Sequence, residues 1–147
     1  MMRDTMKVGL KRTERFLVTA ANTVPELAIA ADELQQMPAV LATPYMIAMM
    51  EIACTHLIKA HAEEGEGSLG VGVNVSHLAA TLPGQTVTVE VEVAEVTGRK
   101  IAFKVTAHDG IDRIGEGRHE RMVVPWERVK AALAAKAAKA GVTAPKA

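Results

Sequence analysis

The chain has 147 residues, 49% hydrophobic and 23% charged, which suits one soluble globular domain with its own core and excludes a disordered or fibrous chain. Seventeen basic residues balance seventeen acidic ones, leaving no net field to steer a polyanion, so nucleic acid is excluded as the leading partner. No apolar run approaches the roughly 20 residues that span a bilayer, the N-terminus lacks an apolar signal core, and the single cysteine, Cys54, has no partner for a disulfide; a cytoplasmic protein without membrane association is predicted.

Residues 13–20 alternate well enough for a first strand. Residues 25–41 are mostly small and apolar and are broken by Pro38, which predicts a short helix and a connection able to act as a lid. The main helix is predicted from 44 to about 61, with Thr43 as N-cap and Pro44 in the first turn. Its first half is apolar nearly all round, so it is expected to be buried by its surroundings. After a turn at 63–67 the period switches to two. Val71, Val73 and Val75 share a face that His77 continues, and this face is expected to meet the helix.

Pro83-Gly84 interrupts the chain. Val87, Val89, Val91 and Val93 then alternate with Thr86, Thr88, Glu90 and Glu92 in the clearest strand of the sequence. A turn at Thr97-Gly98-Arg99 leads to the face of Ile101, Phe103, Val105 and Ala107, and His108-Asp109-Gly110 signals a tight hairpin. A last strand covers about 112–124, and Pro125 opens a helix ending near Gly141. Hairpin connections mean antiparallel pairing. The fold class is therefore α+β, an antiparallel β-sheet wrapped around a central long α-helix in the hotdog arrangement.

Three residues on these elements carry reactive groups in unusual places. Glu51 lies mid-helix, and its neighbours three and four positions away are Ile47, Ala48, Cys54 and Thr55, none cationic. An unpaired carboxylate in an apolar interior costs several kcal/mol or changes its protonation. Glu51 is thus a candidate general base or nucleophile, unless it reaches solvent or a distant arginine. His77 is either a core histidine with backbone partners or an imidazole facing the same interior as Glu51. Thr43 is a good cap, and its hydroxyl at the positive end of a helix can also serve as nucleophile or donor. Thr43 and Glu51 are roughly 12 Å apart along a helix rising 1.5 Å per residue, so cooperation needs a partner subunit or a substrate that spans the gap.

Other motifs are weaker. Gly65-Glu-Gly-Ser-Leu-Gly70 fits a dinucleotide-binding spacing but follows a helix and opens a strand, the reverse of the required context. Gly70 would still let a substrate approach the strand backbone closely. His119-Glu120-Arg121 reads as mixed charge on a solvated face, or as an anion site built on the Arg121 fork. His56 and His61 are off the spacing that shares a helix face, and no metal site is predicted. The Ala/Lys-rich end reads as a solvated helix face that frays.

The phrases Met49-Met-Glu-Ile-Ala-Cys54, Gly65-Glu-Gly-Ser-Leu-Gly70, Val75-Ser-His-Leu-Ala-Ala-Thr81, Ala107-His-Asp-Gly110 and His119-Glu-Arg121 resemble the fluoroacetyl-CoA thioesterase-like family of hotdog proteins. The resemblance runs from about residue 7 to 130. It implies one hotdog domain over 1–130, with 131–147 as helix end and tail, an obligate homodimer or higher oligomer, and hydrolysis of an acyl-CoA thioester. The family's threonine, glutamate and histidine fall on Thr43, Glu51 and His77, and its substrate-contacting glycine and arginine on Gly70 and Arg121. Met37 and Leu41 stand where the fluoroacetyl-specific enzyme carries aromatic lid side chains, which points to a general short- or medium-chain acyl-CoA.

The expected reaction is hydrolysis to free acid and CoA with no added cofactor, coenzyme A being part of the substrate. Thr43, Glu51 or water remains open as the nucleophile, and Arg121 is expected to steer CoA phosphates or another anionic group. The alternatives are a non-catalytic acyl-CoA-binding hotdog module and, ranked lower, a hotdog dehydratase or isomerase.

Overall fold

A run of Met, Ala and Ile with no glycine, and with proline only in the first turn, forms one helix of 17 residues, α2, Thr43–Lys59. It is the axis of the computed structural model, which describes residues 2–29 and 31–146. Five strands surround it: β1 Lys11–Leu17, β2 Glu66–His77, β3 Thr86–Thr97, β4 Lys100–His108 and β5 Arg113–Pro125. They form one antiparallel sheet in the order β1-β3-β4-β5-β2. Helix α2 touches every strand, so this is the hotdog arrangement. A short helix α1, Asp32–Gln35, precedes α2, and α3, Trp126–Ala140, follows the sheet. Among the described residues no helix is long and apolar enough to cross a membrane.

The core lies between α2 and the concave sheet face. Val87, Val89, Val91 and Val93 of β3 and Ile101, Phe103 and Val105 of β4 meet Met46, Met50, Cys54, Leu57 and Ile58 of α2, all buried. Each such side chain contributes about 1.5–3 kcal/mol by leaving water. The period-two runs fixed these strands correctly because the sheet has one wet face and one dry one.

Residues 25–41 hold the expected short helix, the four-residue α1, preceded by a 3-10 turn, Val24–Glu26. Two local expectations change. Thr43 is not the cap: Ala42, extended at φ −75° and ψ 140°, takes that place without a side-chain bond, and Thr43 is the first helical residue. Its hydroxyl is engaged elsewhere. The Val71/Val73/Val75 face also departs from simple alternation. The β2–β5 register shifts between Gly70 and Gly72, which leaves Val71 at the irregularity while Val73, Val75 and His77 pair with His119, Gly117 and Gly115. Val75 packs on the core, but Val71 and Val73 stay 54% and 48% exposed, because β2 is an edge strand.

Candidate active site

The chemically equipped residues form two clusters, both touching α2. The first is at its N-terminus. Thr43 Oγ1 lies 2.7 Å from His77 Nδ1, so the end of β2 delivers the imidazole to the start of the helix. The other ring nitrogen, Nε2, is shut off from solvent and has no hydrogen-bond partner among the described residues. Burial lowers the pKa of His77 below the usual histidine value of 6.5 and favours the neutral ring. The pair borders an open groove of about 360 Å³, whose walls include Met37, Val40, Leu41 and Leu78.

The helix end offers fewer free donors than its dipole suggests. Pro44 has no N–H, and the N–H groups of Tyr45 and Met46 both donate to the Ala42 carbonyl, at 3.0 and 3.1 Å. What the helix end offers beside the Thr43 hydroxyl is therefore the N–H of Thr43 itself and the dipole.

The second cluster is two helical turns further along. Arg121 Nη1 donates to Glu51 Oε2 at 2.9 Å, and the ring of His119 stands 3.7 Å from the same oxygen. The missing cation for Glu51 is thus supplied by β5, 70 positions away in sequence, and the carboxylate, 39% exposed, looks into a second groove with Ala48, Ile52 and Thr55. Of the alternatives left open for Glu51, the structure shows the distant arginine and partial exposure to solvent. Gly70 makes room for this carboxylate: a Cβ there would stand 2.9 Å from Oε2.

Four of the five N–H hydrogens of Arg121 are engaged. Its Nε donates to Ser68 Oγ at 2.8 Å and its Nη2 to the Ser68 carbonyl at 2.9 Å. The fork is buried against Ser68 and Glu51, and Arg121 also borders the groove that Glu51 faces. The solvated-face reading of His119-Glu120-Arg121 is corrected. His119 and Arg121 point into the core side, and only Glu120 faces outward, 2.7 Å from Lys100. The signal was present in the sequence, since both residues share the parity of buried Val123. Ser68 was missed for the same reason, lying two positions from Gly70 on the inner face of β2.

Cys54 sits one turn beyond Glu51 on α2, wholly buried; burial pushes its thiol pKa up, with Glu51 adding to the effect and Arg121 opposing it. His56 and His61 are apart, bound to Glu14 and Thr5. Within the described chain no hydrogen bond or ion pair joins the Thr43–His77 cluster to the Glu51–Arg121 cluster.

The model of the fluoroacetyl-CoA-specific thioesterase family, FlK, matches residues 18–127. The chain belongs to that family. It is therefore a thioesterase, a hydrolase of acyl-CoA thioesters. The fluoroacetyl-CoA thioesterase of Streptantibioticus cattleyicolor is 45% identical over 130 residues, 88% of this chain and 94% of that enzyme. Two solved structures of FlK agree in fold. One is a phenylalanine-to-alanine variant with fluoroacetate and CoA, 44% identical, TM-score 0.82, covering 84% of this chain and 99% of that one. The other is a threonine-to-serine variant with acetyl-CoA, 43% identical, TM-score 0.87, covering 89% and 98%. In the FlK chains the substituted phenylalanine and threonine are separated by the same number of positions as Met37 and Thr43 here.

Proposed function

We propose that this protein cleaves the thioester of a short- or medium-chain acyl-CoA in the cytoplasm, as a homodimer in which Thr43 and His77 of one protomer work with Glu51 of the partner subunit. The observation that carries this reading is the 2.7 Å contact between Thr43 Oγ1 and His77 Nδ1 at the positive end of α2. A neutral imidazole in that position is able to accept the threonine proton. Met37 in the groove wall, an unbranched and adaptable side chain, supports a broader acyl range than an aromatic lid would allow.

In the proposed sequence Thr43 Oγ1 attacks the thioester carbon while its proton passes to His77. The oxyanion is opposed by the helix dipole and the Thr43 N–H. The imidazolium gives its proton to the sulfur as the C–S bond breaks, releasing CoA. Water then attacks the acyl-threonine. Glu51 of the partner subunit takes one of its protons and returns it to the threonine oxygen, and the free acid leaves.

Dimerisation is supported by the two sheet edges. Edge strand β1 is guarded by Lys11, Arg12, Glu14 and Arg15, whereas β2 from Gly67 to Ser76 carries no charge and exposes Val71 and Val73. The gap of about 12 Å between Thr43 and Glu51 along one helix also asks for a second chain.

Subunit complementation tests the reading. Thr43→Ala and Glu51→Gln are each expected to lower kcat by orders of magnitude in a thiol-release assay over a panel of acyl-CoAs. Mixed and allowed to exchange subunits, the two inactive proteins should recover up to about a quarter of wild-type activity, because each mixed dimer holds one intact site. No recovery after proven exchange would refute the shared site. No turnover by wild type on any panel member would refute the activity.

A further inference from the structure

We infer that His119 is a neutral positioning residue, which fixes the Arg121 guanidinium so that Glu51 is held through one oxygen and keeps the other free. The inference deepens the proposed function, since it rests on Glu51 acting on an acyl-CoA.

The protonation pattern follows from the two ring partners. His119 is 2% exposed. Its Nδ1 lies 2.8 Å from the Gly72 carbonyl oxygen, which only accepts, so Nδ1 carries a hydrogen. Its Nε2 lies 3.2 Å from Arg121 Nη1, which only donates, so Nε2 is bare. Neither partner can exchange roles, and the ring is therefore neutral and protonated on Nδ1. A second proton would set N–H against N–H beside a permanent cation. The register shift between Gly70 and Gly72 interrupts the ladder where the Gly72 carbonyl meets the ring.

The charged and titratable groups around the ring divide by element. Helix α2 presents Glu51, β5 presents Arg121 and Glu120, β2 offers the Gly72 backbone, and β4 places apolar Phe103 opposite. Burial is the dominant influence and lowers the pKa of His119; the Gly72 bond opposes it, Arg121 reinforces it, and the two glutamates oppose it.

The effect on Glu51 comes from counting Arg121 hydrogens. Ser68 takes the Nε hydrogen through its Oγ and one of the two Nη2 hydrogens through its carbonyl. The two hydrogens of Nη1 go to Glu51 Oε2 and His119 Nε2. The fork cannot turn to grip both carboxylate oxygens, as arginine otherwise prefers. Oε1 has no protein partner among the described residues and is left for substrate or water. Without the imidazole, one Nη1 hydrogen would be buried and unsatisfied, and the guanidinium would lose one of the four bonds that fix its orientation.

Long-range 1H–15N spectra of the imidazole rings test the assignment directly, with the His119 signal identified by its loss in His119→Gln. Nδ1 should carry the proton and Nε2 none at neutral pH, and this pattern should persist below the ordinary histidine range. Kinetics test the consequence in variants first shown to unfold cooperatively and to keep the wild-type assembly. His119→Leu, which has neither donor nor acceptor, should lower kcat roughly ten- to a hundredfold with little change in KM. His119→Gln, whose amide spaces one donor and one acceptor as the ring does, should recover most of that loss. A proton on Nε2, a doubly protonated ring at neutral pH, wild-type turnover in His119→Leu, or glutamine no better than leucine would each overturn the inference. Full turnover in Glu51→Gln would instead overturn the proposed function, while the spectra would still decide the state of the ring.

Discussion

Gly70→Ala adds one methyl group at the foot of Glu51, and its cost divides unequally between stability and activity. The new Cβ would stand 2.9 Å from Glu51 Oε2, and 3.4 Å from both Arg121 Nη1 and His119 Cε1. Gly70 has no positive φ, so the backbone accepts alanine without strain. The group that must yield is the end of a flexible, partly exposed side chain. The stability loss should stay within about 1 kcal/mol, a fall in Tm of roughly 3 °C, and restriction of the unfolded chain offsets about 0.4–1 kcal/mol of it. The carboxylate retreats a few tenths of an ångström, stretching its 2.9 Å bond to Arg121. Misplacement by about 1 Å costs on the order of a hundredfold in rate, so kcat should fall roughly three- to tenfold.

Gly117→Ala is the control. There a Cβ would lie 2.1 Å from the Asn74 carbonyl oxygen and 2.6 Å from Val75 Cα, at φ +155°, against backbone that cannot yield. That variant should lose about 3 kcal/mol or more. Thermal unfolding and thiol-release kinetics on both proteins decide the matter. Wild-type kcat in Gly70→Ala, or destabilisation matching Gly117→Ala, would refute the placement of Glu51 against β2.

Burial keeps His77 neutral below its usual range, so kcat/KM should hold steady as pH falls to about 6.5 and decline only below it; an acid limb centred above 6.5 would contradict this. The sign for stability follows. The folded state favours the neutral ring and the unfolded state binds more protons, so stability is complete above 6.5 and is lost as pH falls below it, with His119 acting in the same direction. Urea titrations at about pH 5 and pH 7.5 measure the difference. Val73→Lys puts a charge on the bare β2 edge and should yield a monomer that sediments alone and does not turn over; an active dimer would move the interface elsewhere.

What the sequence revealed depended on range. The β3 and β4 faces were legible because alternation is local and every residue of Val87, Val89, Val91 and Val93 reports the same surface. Helix α2 was legible apart from its cap, a shift of one residue caused by the Thr43 hydroxyl turning to His77 instead of to backbone. Parity failed on β2, where one irregular position between two glycines displaces Val71. It was available on β5 but outvoted there by charge, since three polar residues in a row look solvated until Val123 fixes which of them face inward. The Glu51–Arg121 pair was out of reach, because nothing within helical spacing of Glu51 foretells a cation that arrives from the far end of the sheet.

The single thiol of the chain lies wholly buried one turn past Glu51, where the helix meets the sheet. An alkylating reagent reaches it only in the moments when those two layers part. Its rate of modification therefore counts separations at the centre of the molecule, with no foreign label. An acyl-CoA analogue that tightens the same layers would register as a slower count.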